Sequence, residues 1–205
     1  MNILAIESST DICGVCVMSP EGVKYFNEVA QPRIHSERLP QFIQQGIDQC
    51  EVPITAIAVA TGPGSYTGLR IGVSMAKGLS YAMGLPLIPV PSLVAINDNL
   101  ESMIFPRYVY VHSYADWIFI QKFSDFSYDG IPECIQSRDF RPEPGVNQLF
   151  GYGLKITDDL SFVINYTPPS SKYVAMSAMK NYNKWIERDI NNVNPLYITN
   201  FNFKP

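Results

Sequence analysis

Histidine is nearly missing from this chain of 205 residues, which has only His35 and His112. A helical metal site built on His35 would need a second ligand four residues later, where Leu39 stands, so zinc or iron held by paired histidines is excluded by supply. Cysteine is scarce as well. Cys13, Cys16, Cys50 and Cys134 are too few and too scattered for a disulfide scaffold. Cys13 and Cys16 have the spacing of a thiol pair, but on a strand such positions face opposite sides, so buried inert thiols are expected. Positive charge is short: 15 Lys and Arg stand against 19 Asp and Glu, a net charge of -4. No basic run could supply many phosphate contacts, so the chain alone should bind nucleic acid poorly, although a partner could carry the positive surface. Long apolar runs are missing too. The most apolar region, residues 69–96, contains Arg70 and Lys77 and then Pro86, Pro89 and Pro91, unlike a membrane helix. Met1-Asn2-Ile3 leads into a strand-like run without the charged and apolar segments of a leader, so the expectation is a cytoplasmic protein without membrane attachment.

What is present is apolar patterning, 46% of the chain, enough for one sizeable core or two small lobes. Residues 2–7, 14–18 and 23–29 read as three strands, and the turns Ser8-Ser9-Thr10-Asp11 and Pro20-Glu21-Gly22 make them an antiparallel meander. Leu39, Phe42, Ile43, Ile47 and Cys50 recur at helical spacing over residues 36–50, with Ser36 as a candidate cap. Residues 54–60 read as a strand covered on both faces. A second helix is expected over residues 66–83, apolar nearly all round, with a seam of Gly68, Gly72, Ala76 and Ser80 at four-residue intervals. That seam could meet another backbone or its own sheet. A strand at 86–90 and a helix from Ser92 through Leu100 close a first lobe near residue 105. Beyond it, residues 108–111 and 117–123 read as strands, 124–146 as turns, 149–153 as a possible strand, 172–190 as a last helix and 195–205 as an irregular or edge tail. No internal repeat is visible by spacing.

The most distinctive segment is Thr61-Gly62-Pro63-Gly64-Ser65-Tyr66-Thr67-Gly68, between a buried strand and an apolar helix. A helix start can hold an anion, which makes Gly64 and Ser65 candidates. A Walker-type loop needs Lys followed by Ser or Thr after its last glycine, and Leu69-Arg70 stands there instead. A tight turn feeding a closely packed helix is the plainer expectation. Ser8, Ser9 and Thr10 sit in the first hairpin, where hydroxyls and backbone N–H groups could converge on phosphate, yet no second glycine-rich loop follows. A Ser-His-Asp site could draw on common residues, but such a triad is defined by geometry, and no Gly-x-Ser-x-Gly elbow is present. No catalytic residue and no metal site is assigned. The aromatics between residues 105 and 126 have only Arg107 and Lys122 interleaved, so sheet packing or a protein interface explains them better than base stacking.

The run Thr61-Gly-Pro-Gly-Ser-Tyr-Thr-Gly-Leu-Arg-Ile-Gly-Val-Ser-Met-Ala-Lys-Gly-Leu79 resembles the signature of the bacterial TsaB family. Residues 3–10, His35-Ser-Glu-Arg-Leu-Pro40, the stretch 86–93 with its Pro-Ser-Leu, Phe150-Gly-Tyr-Gly153 and Asn194-Pro-Leu-Tyr-Ile198 extend it in order. The chain departs from the family at His112-Ser113-Tyr114, where relatives have an Asp-Ala-Arg-like stretch. The resemblance implies an α/β protein of actin-like ATPase (ribonuclease H-like) fold, with mixed sheets flanked by helices. Residues 1–105 would form the lobe that carries the partner-binding helices, and residues 106–205 a smaller, diverged lobe. It further implies a non-catalytic subunit that binds a TsaD-like transferase, with a TsaE-like ATPase in a ternary complex, for threonylcarbamoylation of adenosine 37 of tRNA. tRNA would be met only through the complex, ATP and metal would sit on the partner subunits, and the chain alone would hold no cofactor and could form a homodimer. The partner surface is expected among the exposed members of Leu39, Phe42, Ile43, Ile47, Gly68, Arg70, Gly72, Ser74, Ala76, Lys77 and Tyr81. Two other functions stay open, a small actin-like ATPase or phosphotransferase and a self-associating structural protein.

Overall fold

Strands β1 (Ile3–Glu7), β2 (Ile12–Ser19) and β3 (Gly22–Ala30) form the expected antiparallel meander in a computed structural model that describes residues 1–125, 130–146, 148–153 and 163–198. Strands β4 (Ala56–Gly62) and β5 (Leu87–Pro91) add in parallel on the far side of β1, giving the order β3-β2-β1-β4-β5. Strands β1 and β4 are buried throughout, and their unbroken apolar runs reflect cover on both faces. On one face, Leu4, Ile6, Val15, Ile57 and Val59 meet Leu39, Phe42 and Ile43 of helix α1 (His35–Gln49) and Val73 and Ala76 of helix α2 (Tyr66–Met83). Helix α1 begins at His35 with Ile34 as its uncapped N-cap, so Ser36 is not the cap the sequence suggests. Ser65 caps α2, and Gly84, at φ 64°, ends it in the left-handed conformation that glycine adopts without steric cost.

After helix α3 (Ser92–Asp98) comes a second sheet, made of β6 (Arg107–His112), β7 (Trp117–Phe123), β8 (Glu133–Gln136), β9 (Gln148–Tyr152) and β10 (Val163–Tyr166). Strands β6, β7 and β8 run as an antiparallel meander while β9 and β10 add in parallel beyond β6. The strand order therefore repeats that of the first sheet, a duplication that spacing in the sequence does not reveal. The four-residue strands β8 and β10 were not among the expected elements, because each draws its hydrogen bonds from a neighbour distant in sequence.

The C-terminal part departs from a simple division at residue 105. Helix α4 (Ser171–Lys180) leaves the second sheet and lies across the first, touching all five of its strands. Ala56, Ala58 and Ala60 of β4 form a shallow surface there, and Ala175 and Ala178 of α4 pack against it. The single helix expected over residues 172–190 is broken. It stops at Lys180, helix α5 (Tyr182–Trp185) follows, and Glu187 then pairs with Leu87 at the edge of the first sheet. Residues 195–198 are irregular, as expected of the tail; residues 199–205 lie outside the described residues, as do 126–129 of the turn-rich stretch.

Arg107, fully buried at the start of β6, holds the two lobes together. Its Nε donates to Asn97 Oδ1 at 2.8 Å, one terminal nitrogen donates to Asn97 O at 2.9 Å and the other to Ser102 O, and the Phe105 ring lies 4.1 Å beneath the guanidinium. Asp98 of α3 pairs with Lys180 of α4 at 3.1 Å.

Candidate functional site

The segment Gly62–Pro63–Gly64–Ser65 folds directly onto the Ser8–Ser9 turn between β1 and β2. A Cβ on Gly64 would fall 2.1 Å from Ser9 O, one on Gly68 2.1 Å from Ser8 O and one on Gly72 2.0 Å from Ser8 Oγ. Glycine is demanded at these places by the close approach of the Ser8–Ser9 turn, its backbone at Gly64 and Gly68 and the Ser8 side chain at Gly72, rather than by an unusual φ. The N–H of Ser65 donates to Ser9 O at 2.7 Å, its Oγ accepts the Gly68 N–H at 3.2 Å, and Ser92 Oγ accepts the Gly62 N–H at 3.1 Å. The motif is thus built to seat α2 on its own hairpin, and some of its backbone donors are satisfied by the protein itself.

Three of the sequence-derived cofactor candidates accordingly face the interior of the motif. Ser8 and Ser9 are fully buried, with both hydroxyls lacking a hydrogen-bond partner, and Gly64 is covered by Ser9. Thr10 and Ser65 instead line a cleft of about 660 Å³ between the lobes. Asp11, Arg33, His35, Thr67, His112, Ser113 and Tyr152 also line it, and sequence reasoning assigned most of them no role. Arg33 sits at φ 64°, unusual for a residue with a side chain. Each histidine places Nε2 on a backbone carbonyl, His35 on Ile12 O at 3.1 Å and His112 on Ala115 O at 2.9 Å. Because a carbonyl only accepts, Nε2 carries the hydrogen in both. Tyr152 of the second lobe reaches Asp11 of the first, and burial, reinforced by the Asp11 carboxylate, pushes its phenol well above the ordinary range.

Glu7 ends β1 just before the Ser8–Ser9 turn. It is fully buried, accepts the Ser9 N–H at 2.6 Å, and is pushed up from 4.5 to about 7, mainly by burial. Among the described residues no cluster of three or more His, Cys, Asp or Glu could hold a metal ion. No serine hydroxyl there is hydrogen-bonded to a histidine. The donor set of the cleft does not fit a metal-bound nucleotide, because Asp11 is committed to Tyr152 and no second carboxylate or lysine joins it.

The helix residues expected at a partner surface separate into two groups. Leu39, Phe42 and Ile43 of α1 and Gly68, Gly72 and Ala76 of α2 are buried within their own lobe, so the small-residue seam faces the hairpin and the first sheet. Ile47 and Lys77 are half-buried. Arg70, Ser74 and Tyr81 face solvent, Tyr81 at 82% exposure, and form one stripe along α2. Gly78 lies in the same stripe with open space around its Cβ position. The tail crosses the start of that stripe: Leu196 N–H donates to Thr61 O at 2.7 Å, and Tyr197 packs on Tyr66. Cys13 and Cys16 point to opposite faces of the first sheet, and burial pushes their thiols to about 11 and about 12.

Fold and site together define a two-lobed α/β protein with duplicated sheet order, in which no catalytic set is assembled in the cleft among the described residues and the exposed helix stripe is met by the tail at its Arg70 end alone among the described residues. The family model described as TsaD, tRNA N6-adenosine threonylcarbamoyltransferase, matches residues 28–113, fewer than half of the chain. The tRNA threonylcarbamoyladenosine biosynthesis protein TsaB of Haemophilus influenzae is 30% identical over 73% of this chain and 68% of its own length. The TsaB protein of Escherichia coli is 35% identical over 47% of this chain, a match that spans 42% of that relative. The chain belongs to the TsaB family. Among solved structures, that of a Pseudomonas aeruginosa protein with similarity to peptidase YeaZ superposes with a TM-score of 0.77 at 18% identity, covering 97% of this chain and 99% of that one. That likeness establishes the two-lobed fold and nothing more.

Proposed function

We propose that this protein is the non-catalytic subunit that binds and supports a TsaD-like transferase in forming N6-threonylcarbamoyladenosine at adenosine 37 of tRNA. The partner would hold ATP and metal, a TsaE-like ATPase would join as a third component, and tRNA would be met only through the assembled complex in the cytoplasm. The repeated strand order of the two sheets supports reading the fold as actin-like. The cleft, with its single engaged carboxylate, supports placing the chemistry on the partner.

One observation carries the partner role: α2 presents Arg70, Ser74, Gly78 and Tyr81 outward between residues 70 and 81 of a largely apolar helix, with Met83 exposed at its end. Such a mixture of a cation, an aromatic and small residues suits the centre of a specific interface. The test is co-purification and light scattering with the TsaD-like subunit of the same organism, comparing the native chain with Gly78→Arg. Ala76 would be a poor probe, since it is fully buried and a charge there would break the lobe itself. Loss of a defined heterodimer in a variant that melts like the native chain is the expected outcome. An unchanged heterodimer would remove α2 from the interface. When the partner is absent, the same exposed stripe can pair with a second copy. Native homodimers that Gly78→Arg turns into monomers would place self-association on this face.

A further inference from the structure

Arg70 is held in an unusual way for a surface arginine. Its guanidinium carbon lies 3.9 Å from the centre of the Tyr66 ring and 5.8 Å from that of Tyr197. The two rings are 4.8 Å apart, and Arg70 Nε donates to the Tyr197 hydroxyl at 3.1 Å. Tyr66 comes from the first turn of α2 and Tyr197 from the tail, 127 residues beyond Arg70 in sequence. The tail is itself anchored: Val193 is buried in the first-lobe core and Leu196 is bonded to Thr61. Nevertheless Arg70 remains exposed, and among the described residues none of the ion pairs within 4.0 Å involves it. An exposed side chain normally gives up rotamer freedom when it binds. Stacking on aromatic faces removes part of that cost beforehand and leaves the two terminal nitrogens as a fork matched to a carboxylate.

We propose that Tyr66 and Tyr197 clamp Arg70 as a preorganised anchor for a carboxylate side chain of the partner subunit, making the C-terminal tail part of the partner-binding surface. This rests on the assignment of α2 to the partner interface. A carboxylate is favoured over a tRNA phosphate by charge, since the chain carries a net charge of -4 and the half-buried Lys77 is the only other cation of α2, too little for a nucleic-acid footprint. Arg70 would be the residue that contacts the partner, and Tyr197 a positioning residue that acts through it.

The experiment measures heterodimer affinity by titration calorimetry with the full chain and the TsaD-like subunit, for Arg70→Ala, Tyr197→Ala, the double variant and Gly78→Arg, with melting curves as the folding control. Arg70→Ala should weaken binding about 30-fold or more, as for other desolvated arginine anchors, and Tyr197→Ala about 10-fold. In the double variant the loss should stay within about twofold of Arg70→Ala alone, because Tyr197 has nothing left to position. Losses that multiply would overturn the clamp. Arg70→Ala binding within twofold of native, while Gly78→Arg abolishes the complex, would overturn the anchor and leave the interface standing. Failure of Gly78→Arg to disturb the complex would instead sink the interface itself and the anchor with it. If Arg70→Ala leaves heterodimer affinity unchanged but releases tRNA from the assembled complex, the anchor meets a phosphate and the proposal is wrong.

Discussion

At the scale of single residues, Glu7 carries the largest electrostatic liability. Its carboxyl is raised from 4.5 to about 7 by burial, with the charge of Glu28 adding to the effect and the hydrogen bond from the Ser9 N–H opposing it. The folded state therefore keeps a proton that the unfolded chain has already lost. Stability is unaffected by this group below about pH 4.5, falls as the pH rises toward 7 by on the order of 3 kcal/mol, and levels off above it. Glu7→Gln should remove most of that slope in urea unfolding measured at several pH values, and the variant should be the more stable form at pH 8. The slope that remains is assigned to Glu28, whose carboxyl burial also raises. A slope unchanged by the substitution would mean that Glu7 is ionised in the folded protein without penalty. In the sequence Glu7 ends the strand read over residues 2–7, and no local pattern shows that its carboxyl is buried. The opposed burial of Cys13 and Cys16, in contrast, followed from the period of a strand alone.

At the scale of elements, α2 has the limits that its sequence implies, residues 66–83, because Ser65 and Gly84 supply cap chemistry at the two ends. Its three glycines, Gly68, Gly72 and Gly78, do different jobs. Gly72→Ala would drive a methyl into Ser8 Oγ and should destabilise the isolated protein by about 2 kcal/mol, as overpacking does. Gly78→Ala meets open space and should stabilise it by about 1 kcal/mol, the propensity difference in a helix interior. Paired thermal melts check both, and equal effects of the two would contradict the orientation of the helix. Periodicity placed the seam of small residues on one stripe without saying what it touched. Contact with the hairpin is a property of the folded lobe, and it moves Gly68, Gly72 and Ala76 from the expected partner surface to the interior.

At the scale of the whole molecule, α4 is the element that ties the second half of the chain back to the first. Its start is held by Glu28 on β3, whose carboxylate accepts from Ser171 N at 2.8 Å, Ser171 Oγ at 3.0 Å and Ser170 Oγ at 3.1 Å. A carboxylate at a helix N-terminus also complements the helix dipole. Glu28→Ala would leave the buried Ser171 donors unmet and should cost about 3 kcal/mol, given that bonds to charged groups contribute about 1.5–3 kcal/mol and orphaned donors are penalised. Hydrogen exchange should then accelerate at Val174, Ala175 and Ala178 before the rest of the first lobe; protection that stays unchanged would assign the docking of α4 to its alanine face alone.

The sequence by itself determined the meander, the two first-lobe helices, the seating of a glycine-rich turn before α2 and the family. Each of these is written in local periods, caps and turn residues, or in a contiguous motif. Only the tertiary structure decided that the second sheet repeats the first, that α4 crosses between lobes, that Tyr152 meets Asp11 over the cleft, and that Tyr197 lies on Arg70. All four depend on groups far apart in the chain that no local pattern encodes. Cross-strand pairing and side-chain contact are settled by how the lobes pack, and a sequence read through its neighbours alone carries no record of them.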